Sequence, residues 1–464
     1  MRSPDVSPGP RTARRAPLHP LLAKEAREIV SGRALWTLLL IVCPLIGYSF
    51  FQAVSLYGEA SAAALQSPVM ASGLSPLDGV LVPTFGASYI AGTLLFPFVA
   101  IRVLSHEKES GALRLLVQLP YPTPTLIGAK LAVILAAWVV AMLPALSSLV
   151  VWCALGGHLA AAETTNLLLG HLLYGLAVGS IALFAAAVTD SGAVAAIVAL
   201  AFTIGSWVLD FTLAGRPGLA DWIARLSLTQ ILRPFEQGLW SAGLVLGVIV
   251  ASLGFAALAA VWLRPGVALR RRIVGSVLCV LATAVALALC AQATLTVDVA
   301  EDRRNSFALA DERALASLTD PLVVTAHFTA EDPRYIDLQR NVLAKLARVM
   351  PNVTIRLVGG RQGFATGSND EAYGAVVYNY ATRSDVSRST SPREILPLLY
   401  DLAQVPRPEP IPGTDYPGYP LVADAMWALP WFFGPLPLLI GFGWWCSRRP
   451  PSSKLLKRLT EAPK

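Results

Sequence analysis

Eight stretches of this chain are apolar over enough residues to cross the hydrocarbon core of a bilayer, and no other feature restricts its fold as strongly. A spanning helix needs ~20 residues. Runs of that kind occupy residues 34–54, 86–104, 131–157, 167–188, 192–213, 240–263, 273–291 and 424–446. Hydrocarbon offers no partner to a backbone N–H or C=O, so each run must be a helix that satisfies its own hydrogen bonds. Composition agrees, with a mean hydropathy of +0.57 and only 14% charged residues in 464, too apolar for a soluble globular chain. The expected fold is an α-helical polytopic membrane protein with about eight transmembrane helices and a small extracytoplasmic α/β domain.

Orientation follows from where Lys and Arg sit in the short loops, because cytoplasmic loops retain them. They concentrate before residue 33, at Lys108, Arg114 and Lys130, at Arg264, Arg270, Arg271 and Arg272, and in the tail after Arg448. Residues 55–85 and 158–166 have none, and 214–239 has only Arg216, Arg225 and Arg233. Both termini are thus expected inside, at the bacterial inner (cell) membrane, with residues 292–423 extracytoplasmic. Residues 1–17 read as a disordered cytoplasmic tail, 18–33 as an interfacial amphipathic helix or an extension of the first span, and 447–464 as a basic cytoplasmic tail. Within 292–423, alternating runs at 322–328, 353–358 and 374–380 predict strands, with helices over 333–350 and 392–404 and loops at 359–372 and 405–420.

Leaving the second span, residues 105–120 predict a cytoplasmic helix capped by Ser105, acidic at Glu107 and Glu109, and apolar through Ala112, Leu113, Leu116 and Val117. Such a helix is a docking surface. His106-Glu107 does not begin a zinc-protease motif, because position 110 is serine where a second histidine is required. The segment Arg102 to Lys130, with Glu107-x-Glu109-x-Gly111, Leu115-Leu116, Leu119-Pro120 and Gly128-x-Lys130, resembles the signature of type 2 ABC-exporter permeases. The likeness extends over about 20–263 and implies a six-helix permease domain at 34–263 with a coupling helix at 105–120. It also implies ATPase docking through Glu107, Glu109, Gly111, Leu115 and Leu116. Leu228, Phe235 and Gly238 are similar to the short outside stretch of these permeases, although Gln237 stands where several members have a basic residue. Residues 270–358, with Thr296 to Phe307 and Asp320-Pro321-Leu322, resemble the auxiliary component of gliding-motility-type ABC transporters, whose extracytoplasmic domain follows a transmembrane helix.

No GxxxxGK[ST] loop is present to cradle phosphates, so the chain is not expected to be an enzyme or to bind a cofactor itself. ATP would act through a partner ATPase. The five cysteines fall in or beside apolar runs without ligand spacing and read as packing residues, and no catalytic or metal residues are assigned. Asp298 to Arg304 reads as a strand and turn whose charges pair locally. Polar groups inside a span are costly, which singles out His171 and Tyr174, either as a possible intramembrane polar site or as interhelical hydrogen-bond partners. The expected function is a permease subunit working as a homodimer or heterodimer in membrane lipid, with a cytoplasmic ABC ATPase and no nucleic acid. The alternative is a non-transporting complex that passes ATP-driven motion to an envelope partner.

Overall fold

The computed structural model describes residues 18–119, 121–213, 227–329, 332–358, 373–409, 411–412 and 416–448. The expected tail at 1–17, most of the basic tail and the loop at 359–372 lie outside the described residues. Among the described residues, eight helical segments are long and apolar enough to cross a membrane, and the chain is a polytopic helical membrane protein. After α1 (Leu18–Ser31), the spans are α2 (Arg33–Ala64), a π-turn (Leu77–Leu81) leading into α3 (Val82–Glu109), and α5 (Thr123–Ala141) with α6 (Leu143–Ala154). Next come α7 (Ala161–Val188), α8 (Gly192–Leu213), α10 (Ala242–Trp262) and α11 (Leu269–Cys290). Short helices α4 (Ala112–Gln118) and α9 (Leu228–Glu236) lie between spans.

Several spans overrun their apolar runs. α2 has 32 residues, ~48 Å at 1.5 Å per residue, against a hydrocarbon core of ~30 Å. Consecutive spans alternate in direction. The ends of α3 and α7 therefore gather with α1, while the α6–α7 turn gathers with the C-terminal domain. The eighth span is not the continuous helix expected at 424–446. It consists of a 3-10 turn (Ala425–Trp427), α16 (Leu429–Phe433) and α17 (Pro435–Ser447), because Pro430 and Pro435 interrupt it around Gly434.

The interior is built from aromatics seated on glycines. A Cβ at Gly47 would stand 2.3 Å from Phe432, one at Gly175 2.3 Å from Trp138 and one at Gly170 2.5 Å from Phe235. Without side chains at these positions the helices approach closely, which is how apolar spans gain packing in lipid. By contrast, α11 buries no residue and rests on α10, with Thr283 against Gly254.

In the C-terminal domain, β3 (Leu322–Ala326) runs parallel to β4 (Val353–Leu357). They are joined through α13 (Pro333–Leu338), a π-turn (Gln339–Leu343) and α14 (Ala344–Val349). This is the expected strand, helix, strand unit. β5 (Val376–Tyr380) lies antiparallel on β3, and β6 (Arg383–Ser387) on β5, giving the order β4-β3-β5-β6. β6 was not foreseen because its residues are polar and mostly exposed, without an apolar alternation. Asp332 caps α13 by accepting from the Arg334 N–H at 2.9 Å, and α12 (Leu309–Ala316) and α15 (Pro392–Ala403) complete the core. β2 (Thr296–Asp298) stays outside this sheet and pairs with β1 (Leu239–Ser241), just before α10.

Candidate functional site

At the α1 end, five charged side chains from three elements meet. Lys130 of α5 is closed off from solvent between Glu25 of α1 at 2.8 Å and Glu107 of α3 at 2.7 Å, and it also donates to the Val103 carbonyl at 3.1 Å. Lys24 reaches Glu25 at 3.1 Å, Glu28 at 3.2 Å and Glu107. Glu25 is 0% and Glu107 2% exposed, and removing a partner from a buried pair of this kind is strongly destabilising. Glu25, Glu28 and Glu107 are spaced as metal ligands are, but the Lys24 ammonium stands among them as the cation. Burial opposes the charged form of Lys24. The hydrogen bond to Glu107 and the nearby charge of Glu25 outweigh it and hold the ammonium above the usual lysine range.

This geometry corrects the expectation for 105–120. The segment is not one helix capped by Ser105, which lies buried inside α3. Nor is Glu107 at an exposed helix start, since it is consumed by the two lysines. α3 runs on to Glu109 and stops where Gly111 takes φ +75, a left-handed conformation that glycine adopts without strain. The last turn of α3 then holds its neighbours. Lys108 donates to the Ala187 and Thr189 carbonyls at 2.7 and 2.8 Å, closing the C-terminus of α7, and Glu109 accepts the Gly192 N–H at 3.1 Å, closing the start of α8. Beyond Gly111, α4 buries no residue. Leu113 leans on the bundle, Leu116 is half-buried, and Leu115 is 69% exposed.

Within the bundle, His171 and Tyr174 lie on α7 but do different things. The Tyr174 hydroxyl bonds Thr93 of α3 at 2.5 Å. The His171 ring packs on Phe85 with centroids 5.1 Å apart, and neither ring nitrogen has a partner among the described residues. The expected interhelical bond is made instead by the His171 carbonyl, which accepts from Trp138 Nε1 at 2.8 Å.

The opposite end carries an arrangement that the sequence reading missed. Asp298 to Arg304 is not a locally paired, solvated cluster. Arg304 pairs with Asp302 at 2.8 Å, but it also pairs with Asp78 and donates to Ser75 at 2.8 Å at the start of the second span. Glu301 accepts from Tyr419 at 2.6 Å and meets His158 Nε2 at 2.9 Å, and its N–H donates to Glu163 of α7. His158 and Tyr419 stack with centroids 3.6 Å apart. The Glu301 hydrogen bond comes first among the causes that push the Tyr419 hydroxyl up to about 12, which keeps it a donor. Asn305 donates to Asp298 at 3.1 Å and to the Gln237 carbonyl at 2.6 Å, while a Cβ at Gly238 would meet Ala300 at 2.7 Å. One segment of eight residues therefore fastens the second span, the α6–α7 turn, α7, the end of α9 and the irregular chain before the eighth span.

Residues 19–232 match a family model described as ABC-2 family transporter protein. Over this segment the chain is similar to ABC-2 type permeases. The segment runs from α1 into α9 and includes the charge network, α4 and the His171–Tyr174 pair, while α10, α11 and the α/β domain lie outside it. The match covers less than half of the chain and does not extend to the resemblance with gliding-motility auxiliary components. No curated protein and no solved structure matches the chain.

Replacing Lys130 by methionine leaves two buried carboxylates with one fewer cation. The expected destabilisation is about 3–5 kcal/mol, read as a fall in the thermal unfolding midpoint of the detergent-solubilised chain. Adding Glu107→Gln to Lys130→Met should restore part of the loss. A wild-type midpoint for the single variant would show that the network contributes little.

Proposed function

We propose that the chain is the membrane-spanning subunit of an ABC-type exporter, driven by a separate cytoplasmic ATPase that docks on the Gly111–Leu119 segment. The observation that carries this reading is α4. It is a short helix with uncovered leucines inside the matched segment, and it follows directly on the last turn of α3, which is itself bonded to the ends of α7 and α8. Displacing α4 by force at Leu115 and Leu116 pulls on α3, α7 and α8 together. Glu109 and Gly111 set its position, and Glu107 acts from inside by anchoring α3 to α1 and α5. The excess of Lys and Arg at the α1 end supports placing this end in the cytoplasm and the α/β domain outside, across a bacterial inner membrane. In this reading the chain binds no cofactor, and ATP is bound by the partner.

The working unit is a dimer of permease chains. Its support is an exposed stripe on α2, in which Ile41, Leu45, Tyr48, Gln52 and Leu56 follow helical spacing. Gln52 donates to the Tyr48 hydroxyl at 2.7 Å. Polar side chains turned outward from a span are costly in lipid. A second protomer covers them.

A mechanotransmitting complex is the second reading, and the segment Asp298 to Asn305 favours it. A change in spacing between the second span and α7 must break the contacts of Arg304 or Glu301, or else move the α/β domain.

Three measurements test these statements. Leu115→Asp with Leu116→Asp should lower recovery of the ATPase with the permease by roughly tenfold, ~1.4 kcal/mol, with the unfolding midpoint unchanged. Full recovery with full ATP-dependent turnover would remove α4 as the dock. Gln52→Cys should crosslink two chains in native membranes under mild oxidation. If only monomers are found after oxidation, the α2 stripe is not between protomers. For the second reading, spin labels on the α/β domain and on the α6–α7 turn should change separation when ATP is added to the complex, and Glu301→Gln with Arg304→Ala should abolish the change without stopping hydrolysis. An unchanged wild-type distance during ATP turnover eliminates mechanotransmission.

A further inference from the structure

The hairpin between α10 and α11 concentrates positive charge that no carboxylate among the described residues neutralises. Arg264, Arg270 and Arg271 are exposed, and their side chains have no partner among the described residues. Arg272 is half-buried. Its Nη2 donates to the Arg264 carbonyl at 3.0 Å, but its Nε is closed off from solvent without a partner among the described residues. The lysines of the same end behave differently, since Lys24, Lys108 and Lys130 are all engaged by carboxylates or helix carbonyls. Nor does the charge serve α11. A helix start favours anions, whereas three consecutive guanidiniums occupy this one with no acid in the first turn.

Directly below the arginines, α11 is uncovered. Ile273, Val274, Val277, Leu278 and Leu281 are all at least half exposed. Trp262 stands at the same level and donates to Ser276 at 3.1 Å, an indole at the depth where aromatic belts form. The corner therefore presents guanidiniums above a continuous apolar face. A soluble anion would use only the first part.

We propose that this corner is a binding site for an anionic phospholipid, with its phosphate among Arg264, Arg270, Arg271 and Arg272 and its acyl chains along Ile273, Val277 and Leu281. Basic residues at the membrane surface each attract anionic headgroups, and the apolar face of α11 supplies the second contact that fixes a lipid rather than a free anion. Arg272 lies within Coulomb range of Lys108, the residue that joins α3 to the end of α7, so the headgroup charge is felt at the α3 terminus. The inference concerns the chain alone and stands apart from any ATPase partner.

The test uses the full chain purified in detergent and titrated with phosphatidylglycerol or phosphatidylcholine, with bound lipid counted by native mass spectrometry. Wild type should prefer phosphatidylglycerol. The variant Arg264→Gln, Arg270→Gln, Arg271→Gln should lose roughly tenfold or more of that affinity. A control carrying Arg114→Gln and Arg448→Gln, at the same end on other elements, should keep it. Glycerol phosphate should not displace the lipid. Equal binding of the two lipids by wild type, undiminished phosphatidylglycerol binding by the triple variant, or displacement by glycerol phosphate would each overturn the proposal. Should the triple variant not fold, Arg270→Gln and Arg271→Gln taken singly decide the matter, each expected to weaken phosphatidylglycerol several-fold and to disprove the site if both bind as wild type does.

Discussion

The buried ammonium of Lys130, held between Glu25 and Glu107, is the contact on which the arrangement of the α1 end depends. A charge taken out of water requires close opposite charges, and these must come from elements fixed in the right places. Here they come from α1 and α3, so satisfying one lysine of α5 fixes three segments at once. The last turn of α3 is then held at the correct height for Lys108 and Glu109 to close the ends of α7 and α8. α4 inherits its position from that turn, across a single left-handed glycine. What is exposed is thus positioned by what is hidden.

Polar contacts organise the other end by a different route. There the groups are partly solvated and single ion pairs are weak, so the arrangement relies on number and on chain geometry. The β1–β2 ribbon sets the register of Asp298, whose carboxylate holds the Ala300 and Asn305 N–H groups, and the intervening residues are turned toward the bundle. Glu301 and Arg304 then reach groups from separate helices that would otherwise end in open loops. The α/β domain is held on the helix bundle by this segment as well as by the two spans that flank it.

Between the two ends the bundle is held by shape. Aromatic rings fill glycine notches, and polar groups inside can bond across helices, as Tyr174 does with Thr93. At His171 both ring nitrogens are enclosed without a partner among the described residues, while its backbone carbonyl is satisfied by Trp138. A buried polar group left unpaired costs stability. In this conformation the ring contributes its packing against Phe85.

The sequence by itself determined the number of spans, their alternation and the strand, helix, strand unit of the C-terminal domain, because apolar length and periodicity are local properties that the bilayer and a sheet face each demand. It also pointed to the stretch around Glu107 and to the His171–Tyr174 pair. It did not show that Glu107 faces inward, that Ser105 is mid-helix, or that Arg304 leaves its neighbours for Asp78. β6 was equally hidden, because its residues are polar. Each of these depends on which distant residue arrives opposite a given side chain. Lys24 and Glu107 are 83 positions apart, and His158 and Glu301 are 143 apart. A charge carries no mark of its partner in one dimension, so only the packed helices decided which pairs formed and which arginines were left for something else.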